Sequence, residues 1–254
     1  MHYREFTPPP QLADAVKCFW ILEAEAGMEP QTIIPDGCTE IVFQYGDRFE
    51  NQPAAIFAGQ IDGPLCIAPS GRIGSLGVRF HPGGARHFFR APQSEFSGQV
   101  HSLEDIWGAT GRRLQDQVLN ARNRIAAVES ALTALKFGRP ETPVAEAALH
   151  RIHTSRGAEP IRGIAKSLNV SARQLERIFQ REIGLNPKRF ARIIRFQAVL
   201  QARPGSWSNI AQDCGYYDQP HFIREFEEFT GRTPSAYSLQ GSELSAAFSH
   251  LMER

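Results

Sequence analysis

Cysteine is scarce in this 254-residue chain. Cys18, Cys38, Cys66 and Cys214 stand singly with no Cys-x-x-Cys pair, which argues against both a zinc site and a disulfide framework. Inert thiols in a reducing compartment fit that usage. Apolar runs are short, and none approaches the ~18 residues that a bilayer-spanning helix needs. Met1 to Phe6 (MHYREF) offers no signal-peptide hydrophobic region, so a cytoplasmic location without membrane attachment is expected. A metal-binding barrel would want a His-x-His pair with a later carboxylate and histidine. His81 and His87 lack that spacing, so neither a metal nor a cofactor is expected. Low-complexity sequence is absent as well.

Net charge is also nearly missing, at +1 overall, but it is unevenly spread. Residues 1–145 hold 13 Lys and Arg against 16 Asp and Glu, whereas residues 146–240 hold 14 against 9. At roughly 150 residues per domain, the length suits two domains. A basic C-terminal module beside a mildly acidic N-terminal one suits nucleic-acid binding by one part only.

The first eighty or so residues read as short strands: Val16 to Glu23, Gln31 to Ile34, Thr39 to Tyr45, Ala54 to Gly59, Leu65 to Ala68 and Ile73 to Phe80. Pro35-Asp36-Gly37, Gly46-Asp47, Asp62-Gly63-Pro64 and Pro69-Ser70-Gly71 supply turns between them. The expectation is an α+β chain whose N-terminal domain is β-rich, barrel- or sandwich-like, over residues 1–100. The pattern then becomes helical. Gly83 to Arg90 suits a short helix. Ser102 caps a helix carrying Leu103, Ile106, Trp107 and Leu114 on its buried stripe. Another helix spans about Arg122 to Phe137, with Ile125, Val128, Leu132 and Leu135 at helical spacing. Residues 101–137 thus form a helical connector whose leucine stripe could serve dimerisation. Residues 138–143 read as a linker, with Thr142 and Pro143 opening a helix that ends near Thr154. An all-α domain follows over residues 144–240, and 241–254 is a polar tail.

Within that all-α domain one pattern is written twice. The first copy has Ile164, Ala165 and Leu168, a turn at Asn169-Val170-Ser171, then Leu175, Ile178, Phe179, Gly184, Pro187 and Phe190. The second has Ile210, Ala211 and Cys214, a turn at Gly215-Tyr216-Tyr217, then Phe222, Phe226, Gly231, Pro234 and Tyr237. Matching positions lie 46 apart before the turn (Ile164, Ile210) and 47 apart after it (Leu175, Phe222). One insertion in a turn between constant offsets is the mark of a duplicated helix-turn-helix.

In the first copy Ser171 and Gln174 form a capping box, and Leu175, Ile178 and Phe179 face inward. At ~100° per residue, Arg173 and Arg177 project outward from the first two turns, where a recognition helix meets base edges. Arginine can pair with guanine O6 and N7, and neighbouring Glu176 can accept from cytosine N4. Gln174 joins this base-reading set. In the second copy Asp218 caps a helix whose Phe222, Phe226 and Phe229 face the core. Gln219, His221 and Arg224 are its candidate base readers. Asn186-Pro187 starts a helix to about Arg203, roughly 24 Å of spacer at ~1.5 Å per residue. Lys188, Arg189, Arg192 and Arg195 along it, with Arg232, suit phosphate contacts.

This arrangement resembles the AraC/XylS family of bacterial transcription regulators. The resemblance covers about residues 146–240. It is most specific over Ile210 to Tyr237, where A-x-x-C-G-Y-x-D-x-x-H-F-x-R-x-F is followed by G-R-T-P-x-x-Y. It implies two helix-turn-helix units joined by a long helix and binding promoter DNA. It also implies groove-facing positions for Arg173, Glu176, Arg177, Gln219, Pro220, His221 and Arg224, although many members carry a small polar residue where this chain has Pro220. The N-terminal region resembles a sensor-like domain found ahead of such readers, through Ile34 to Glu40 and Gly77 to Gly84.

In that N-terminal half Asp36, Cys38, Glu40, Arg79 and His81 gather at turns and could line a pocket. The plainer reading, preferred here, is a turn at Asp36-Gly37 and an ion pair for Arg79. Phe19, Trp20, Phe43, Tyr45 and Phe57 read as core rather than as a ligand box. The expected function is sequence-specific binding of promoter DNA in the cytoplasm, at the nucleoid, without catalysis. RNA polymerase, a small-molecule effector and a second copy of the chain are further candidate partners. One alternative is an N-terminal domain that only dimerises. Another is a DNA-repair fusion, which would need a zinc-held cysteine cluster that four scattered cysteines do not supply.

Overall fold

Strand β7 (Ile73–Phe80) is buried at every position, because it runs through the middle of a sheet with both faces covered. A computed structural model describes residues 1–27, 30–49, 52–68, 71–138, 143–202 and 207–239. Its N-terminal half holds β1 (His2–Phe6), β2 (Val16–Ala24), β3 (Gln31–Ile33), β4 (Glu40–Gln44), β5 (Ala55–Ala58), β6 (Leu65–Ile67), β7 and β8 (Val100–Ser102). Six strands pair antiparallel in the order β1-β2-β7-β4-β5-β8, and β3 and β6 form a separate two-stranded ribbon. The six expected strands form, with ends shifted by a residue or so. β1 and β8 were not expected. β1 is a mostly exposed edge with no clean alternation, and β8 is three residues long and exists by pairing with β5.

One face of the sheet supplies Phe19, Ile41, Phe43, Phe57, Leu76, Val78 and Phe80 to a core closed by helices. Ser102 accepts from the Asp105 amide, as the sequence implies, and opens α1 (Leu103–Trp107). The helix then breaks at Gly108, whose φ of 57° ends α1 before α2 (Ala109–Leu119) begins. Asn123 caps α3 (Arg124–Leu135). The segment Gly83 to Arg90 makes only a 3-10 turn at Gly84–His87. Leu114, Val118, Val128 and Leu132 are buried in the sheet's core, with Ile125 and Leu135 packed against it. The leucine stripe considered for dimerisation therefore faces its own domain, and the connector is the second layer of that domain.

The other face of the sheet is built around Gly77. A Cβ there would stand 1.9 Å from Trp20 Cε2, so glycine is what lets the indole lie across β7. Trp20 packs with Cys18, Leu22, Ile73, Tyr3 and Val42.

The C-terminal half is α4 (Pro143–Thr154), α5 (Ile161–Ser167), α6 (Ala172–Glu182), α7 (Pro187–Leu200), α8 (Trp207–Asp213), α9 (Gln219–Thr230) and α10 (Pro234–Leu239). Its core joins Leu175, Phe179, Phe190, Phe196, Phe222, Phe226 and Phe229, with Ile34 of the first half in the same cluster. Most of the linker at 138–143, the expected helix end at Arg203, part of the turn at Pro69-Ser70 and the tail at 241–254 lie outside the described residues.

Candidate nucleic-acid interface

The duplication is geometric as well as textual. Asn169 (φ 54°) and Gly215 (φ 76°), 46 residues apart, both put the inter-helix turn in the left-handed region. Asparagine and glycine are the residues that accept this most readily. Ser171 then caps α6 through a complete capping box, its hydroxyl accepting from the Gln174 amide while Gln174 Oε1 accepts from the Ser171 amide. Asp218 caps α9, accepting from the His221 amide at 2.7 Å. Gly184 and Gly231, also left-handed, end the two second helices, and Pro187 and Pro234 start the next ones.

Of the residues expected to face inward, Leu175, Phe179, Phe222, Phe226 and Phe229 are fully buried, whereas Ile178 is only half-buried. Arg173, Gln174, Glu176 and Arg177 on α6 are exposed, as are Gln219 and Arg224 on α9. His221 is half-buried, its Nε2 3.8 Å from Glu225. Gln174 has its carbonyl oxygen committed to the cap, which leaves its amide NH2 to face outward. Tyr217, treated in the sequence only as a turn residue, is 92% exposed immediately before the α9 cap. The signal for it was the one-residue insertion that separates the two turns.

The spacer helix differs more. α7 has 14 residues, about 21 Å at ~1.5 Å per residue, and eight of them are buried. It is the central beam of the domain rather than an open rod. Three of its arginines are occupied internally. Arg192 donates from Nε to Glu225 at 2.6 Å and also pairs with Glu228. Arg195 reaches both Glu225 oxygens at 3.0 Å and lies 4.7 Å over the Tyr216 ring. Arg189 pairs with Glu228, donates to the Asp62 carbonyl and stacks 4.5 Å over Phe229. Tyr216 OH donates to Glu225 at 2.9 Å. Glu225 is only 1% exposed, so one buried carboxylate gathers two guanidinium groups and a phenol.

The electrostatics follow from that gathering. Burial works against charge on Arg192, but its hydrogen bonds to Glu228 and Glu225 outweigh it and hold the guanidinium above its usual range. Burial likewise opposes ionisation of Glu228, yet the bonds from Arg192 and Arg189 hold its carboxyl below the usual range. Burial and the adjacent Glu225 charge push the Tyr216 phenol up. Lys188 and Arg232 remain exposed. A cleft of about 650 Å³ runs between the two units, lined by Glu159, Arg162, Lys188, Arg192, Arg195 and His221 among others.

The first unit is also fastened to the β-rich half. Ser97 Oγ donates to the Gly184 carbonyl at 2.6 Å, and Arg86 Nε lies 3.1 Å from Glu182. Gln197 of α7 donates to the Pro35 carbonyl at 2.6 Å. These seam contacts join residues more than 80 apart, and nothing local in the sequence announces them. The outward positions of α6 take no part in them.

Of the N-terminal cluster, Asp36, Cys38, Glu40 and Arg79 come together, and His81 stands apart from that pocket. Arg79 pairs with Glu40 at 2.6 Å and Asp36 at 3.6 Å. Burial works against its charge, but Glu40 and then Asp36 outweigh it and raise the guanidinium well above its usual range. Among the described residues no group of three His, Cys, Asp or Glu side chains could hold a metal ion. No helix among them is long and apolar enough to cross a membrane.

Comparison with known proteins divides the chain the same way. Residues 164–240 match a family model described as a helix-turn-helix domain, and residues 4–102 match a domain of unknown function. Over 74 residues the chain is 36% identical to the HTH-type transcriptional regulator GbdR of Pseudomonas aeruginosa, a match that covers 28% of this chain and 20% of that protein. Over 80 residues it is 32% identical to an uncharacterised HTH-type transcriptional regulator of Haemophilus influenzae, covering 30% of this chain and 27% of that one. The chain thus spans about a fifth to a quarter of the length of these relatives. Among solved structures, ToxT from Vibrio cholerae aligns with 94% of this chain and 97% of its own, at 10% identity and a TM-score of 0.42. Residues 164–240 therefore carry a helix-turn-helix domain similar to that of HTH-type transcriptional regulators.

Proposed function

We propose that this chain is a sequence-specific regulator of transcription that reads promoter DNA with α6 and α9, under control of its N-terminal half. The observation that carries the reading is the repeated unit itself. Two capped helices each bury an aromatic or leucine face and leave their first two turns polar and open. With ~21 Å of α7 between them and ~10 Å for a helix with its side chains, the spacing approaches the ~34 Å of one DNA turn.

Base reading falls to Arg173, Glu176, Arg177 and the Gln174 amide in the first unit, and to Gln219, His221 and Arg224 in the second. Lys188, Arg232 and Arg162 contact phosphates from the cleft and its rim, and Tyr217 offers a phenol to the backbone ahead of α9. Arg189, Arg192 and Arg195 act from within, holding α9 against α7. The site of action is then the cytoplasmic nucleoid, and RNA polymerase is the partner at the promoter.

Fluorescence anisotropy on a selected operator and its single-base variants tests the reading. Arg177→Ala should cost ~1–3 kcal/mol on the operator and relax preference at one position. Lys188→Ala should weaken every sequence alike and lower the salt slope by about one. Equal loss on all sequences for Arg177→Ala would remove it from the base readers.

A further inference from the structure

The seam between the two halves holds a pocket of about 80 Å³. Ile33, Ile34, Ala58, Ile61 and Leu65 give it apolar walls from the β3–β6 ribbon and the sheet edge. Its polar end is Asp36, Glu40 and Arg79, and Gln197 of α7 closes it from the reader side. A space of this size takes roughly five to eight water-sized groups.

The charges decide what it would hold. Arg79 is the one cation among the lining residues, and two carboxylates already face it: Glu40 meets its Nε at 2.6 Å, Asp36 lies 3.6 Å from its Nη2, and its side chain is 5% exposed. The two carboxylates are 20% and 18% exposed, so what the pocket presents is carboxylate oxygen over a buried guanidinium, with a formal excess of one negative charge. Asp36 is fixed from behind, since its Oδ1 accepts the Cys38 amide at 2.9 Å. A carboxylate ligand would meet two like charges here, and a neutral alkyl group would leave them unanswered.

We propose that this pocket binds a small organic cation, an alkylammonium of roughly five to eight non-hydrogen atoms, with its nitrogen at Asp36 and Glu40 and its chain among Ile33, Ile34 and Leu65. Gln197, whose amide donates to the Pro35 carbonyl next to Asp36, ties occupancy of the pocket to the helix that spaces the two DNA-reading units. The inference names a ligand class for the N-terminal control proposed above, but its binding step does not depend on that reading.

Titration calorimetry of the full chain without DNA tests it, using n-pentylammonium, n-pentanol and pentanoate as probes of matched length. Saturable binding is expected for n-pentylammonium and not for the other two. Asp36→Asn keeps an acceptor for the Cys38 amide and should weaken the ammonium about tenfold. Leu65→Trp, at a surface position of the ribbon, should fill the mouth and abolish binding while circular dichroism stays unchanged. Equal or tighter binding of pentanoate or pentanol, no saturable heat with the ammonium, or an unaffected Leu65→Trp would each overturn the proposal. Because DNA is absent, failure here and failure of the anisotropy test are separate results.

Discussion

The two helix-turn-helix units share one sequence plan but are anchored by opposite means. In the second unit Glu225 points inward from α9 and collects Arg192, Arg195 and Tyr216. Its counterpart 47 residues earlier is Ile178, a half-buried apolar residue. In the first unit the charged anchor lies at the far end of the helix: Glu182, buried, meets Arg86 of the β-rich half, where the second unit has Phe229 in the core. The ionic anchor of the second unit therefore lies on the spacer helix, and that of the first on the N-terminal half. The two copies share caps, turns and most of the buried stripe, yet each is tethered through a different position of its second helix.

The largest way to break this comparison is to remove the ionic anchor of the second unit. Glu225→Ala would strand Arg195 and a phenol and leave Arg192 with Glu228 alone, at a cost of about 3 kcal/mol in urea unfolding. Ile178→Ala, at the matching position, should cost only about 1 kcal/mol, since the side chain is half-buried. Similar losses would mean that the carboxylate is no more an anchor than the isoleucine.

A smaller effect sharpens the tether of the first unit. Arg86→Ala removes a charged hydrogen bond to buried Glu182 and should cost about 1–2 kcal/mol. Hydrogen exchange should quicken at amides 179–184 and stay unchanged across α9 (residues 219–230). Faster exchange in both helices would show that the tethers are not separate.

The smallest expected effect is a pH dependence on the same side of the molecule. Burial lowers the His153 imidazole below its usual 6.5, with Lys17, His150 and His81 adding repulsion, and burial then Lys17 do the same at His81. His153 stands edge-on to Phe190, 5.6 Å between ring centres, under the first unit. A folded-state value below the unfolded one means that the unfolded chain takes the proton first. Stability is then full above about pH 6.5 and declines as pH falls through that value. Melting temperature between pH 8 and 5.5 should fall, and His153→Leu should flatten the slope. An unchanged slope in that variant would assign the dependence elsewhere.

What was legible beforehand was what neighbours in sequence decide. Leu175 with Phe179 and Phe222 with Phe226 lie one helix turn apart, so the buried stripe of each reader follows from period alone. The Ser171 and Asp218 caps act within three residues, and Asn169 and Gly215 announce turns by their own backbone preference. The outward set on α6 and α9 is the complement of those stripes. Illegible was everything joined across distance. Arg192 and Glu225 are 33 residues apart, so an arginine that reads as a phosphate contact turns out to be a strut. Leu132 and Leu135 read as a free stripe until the sheet that covers them is in place. β8 is three residues that become a strand only because β5 offers an edge.

By itself, then, the order of residues determined two capped amphipathic helices with polar leading turns, a string of short strands before them, and the duplication of the helix-turn-helix unit. Tertiary structure alone decided which cations remain open to a phosphate, that α7 is a buried beam, and that a carboxylate-lined pocket sits where the halves meet. The division has one cause. Periodicity, caps and turns are set by interactions within a few residues, whereas ion pairs and cavities arise only when chain segments far apart compete for the same buried space.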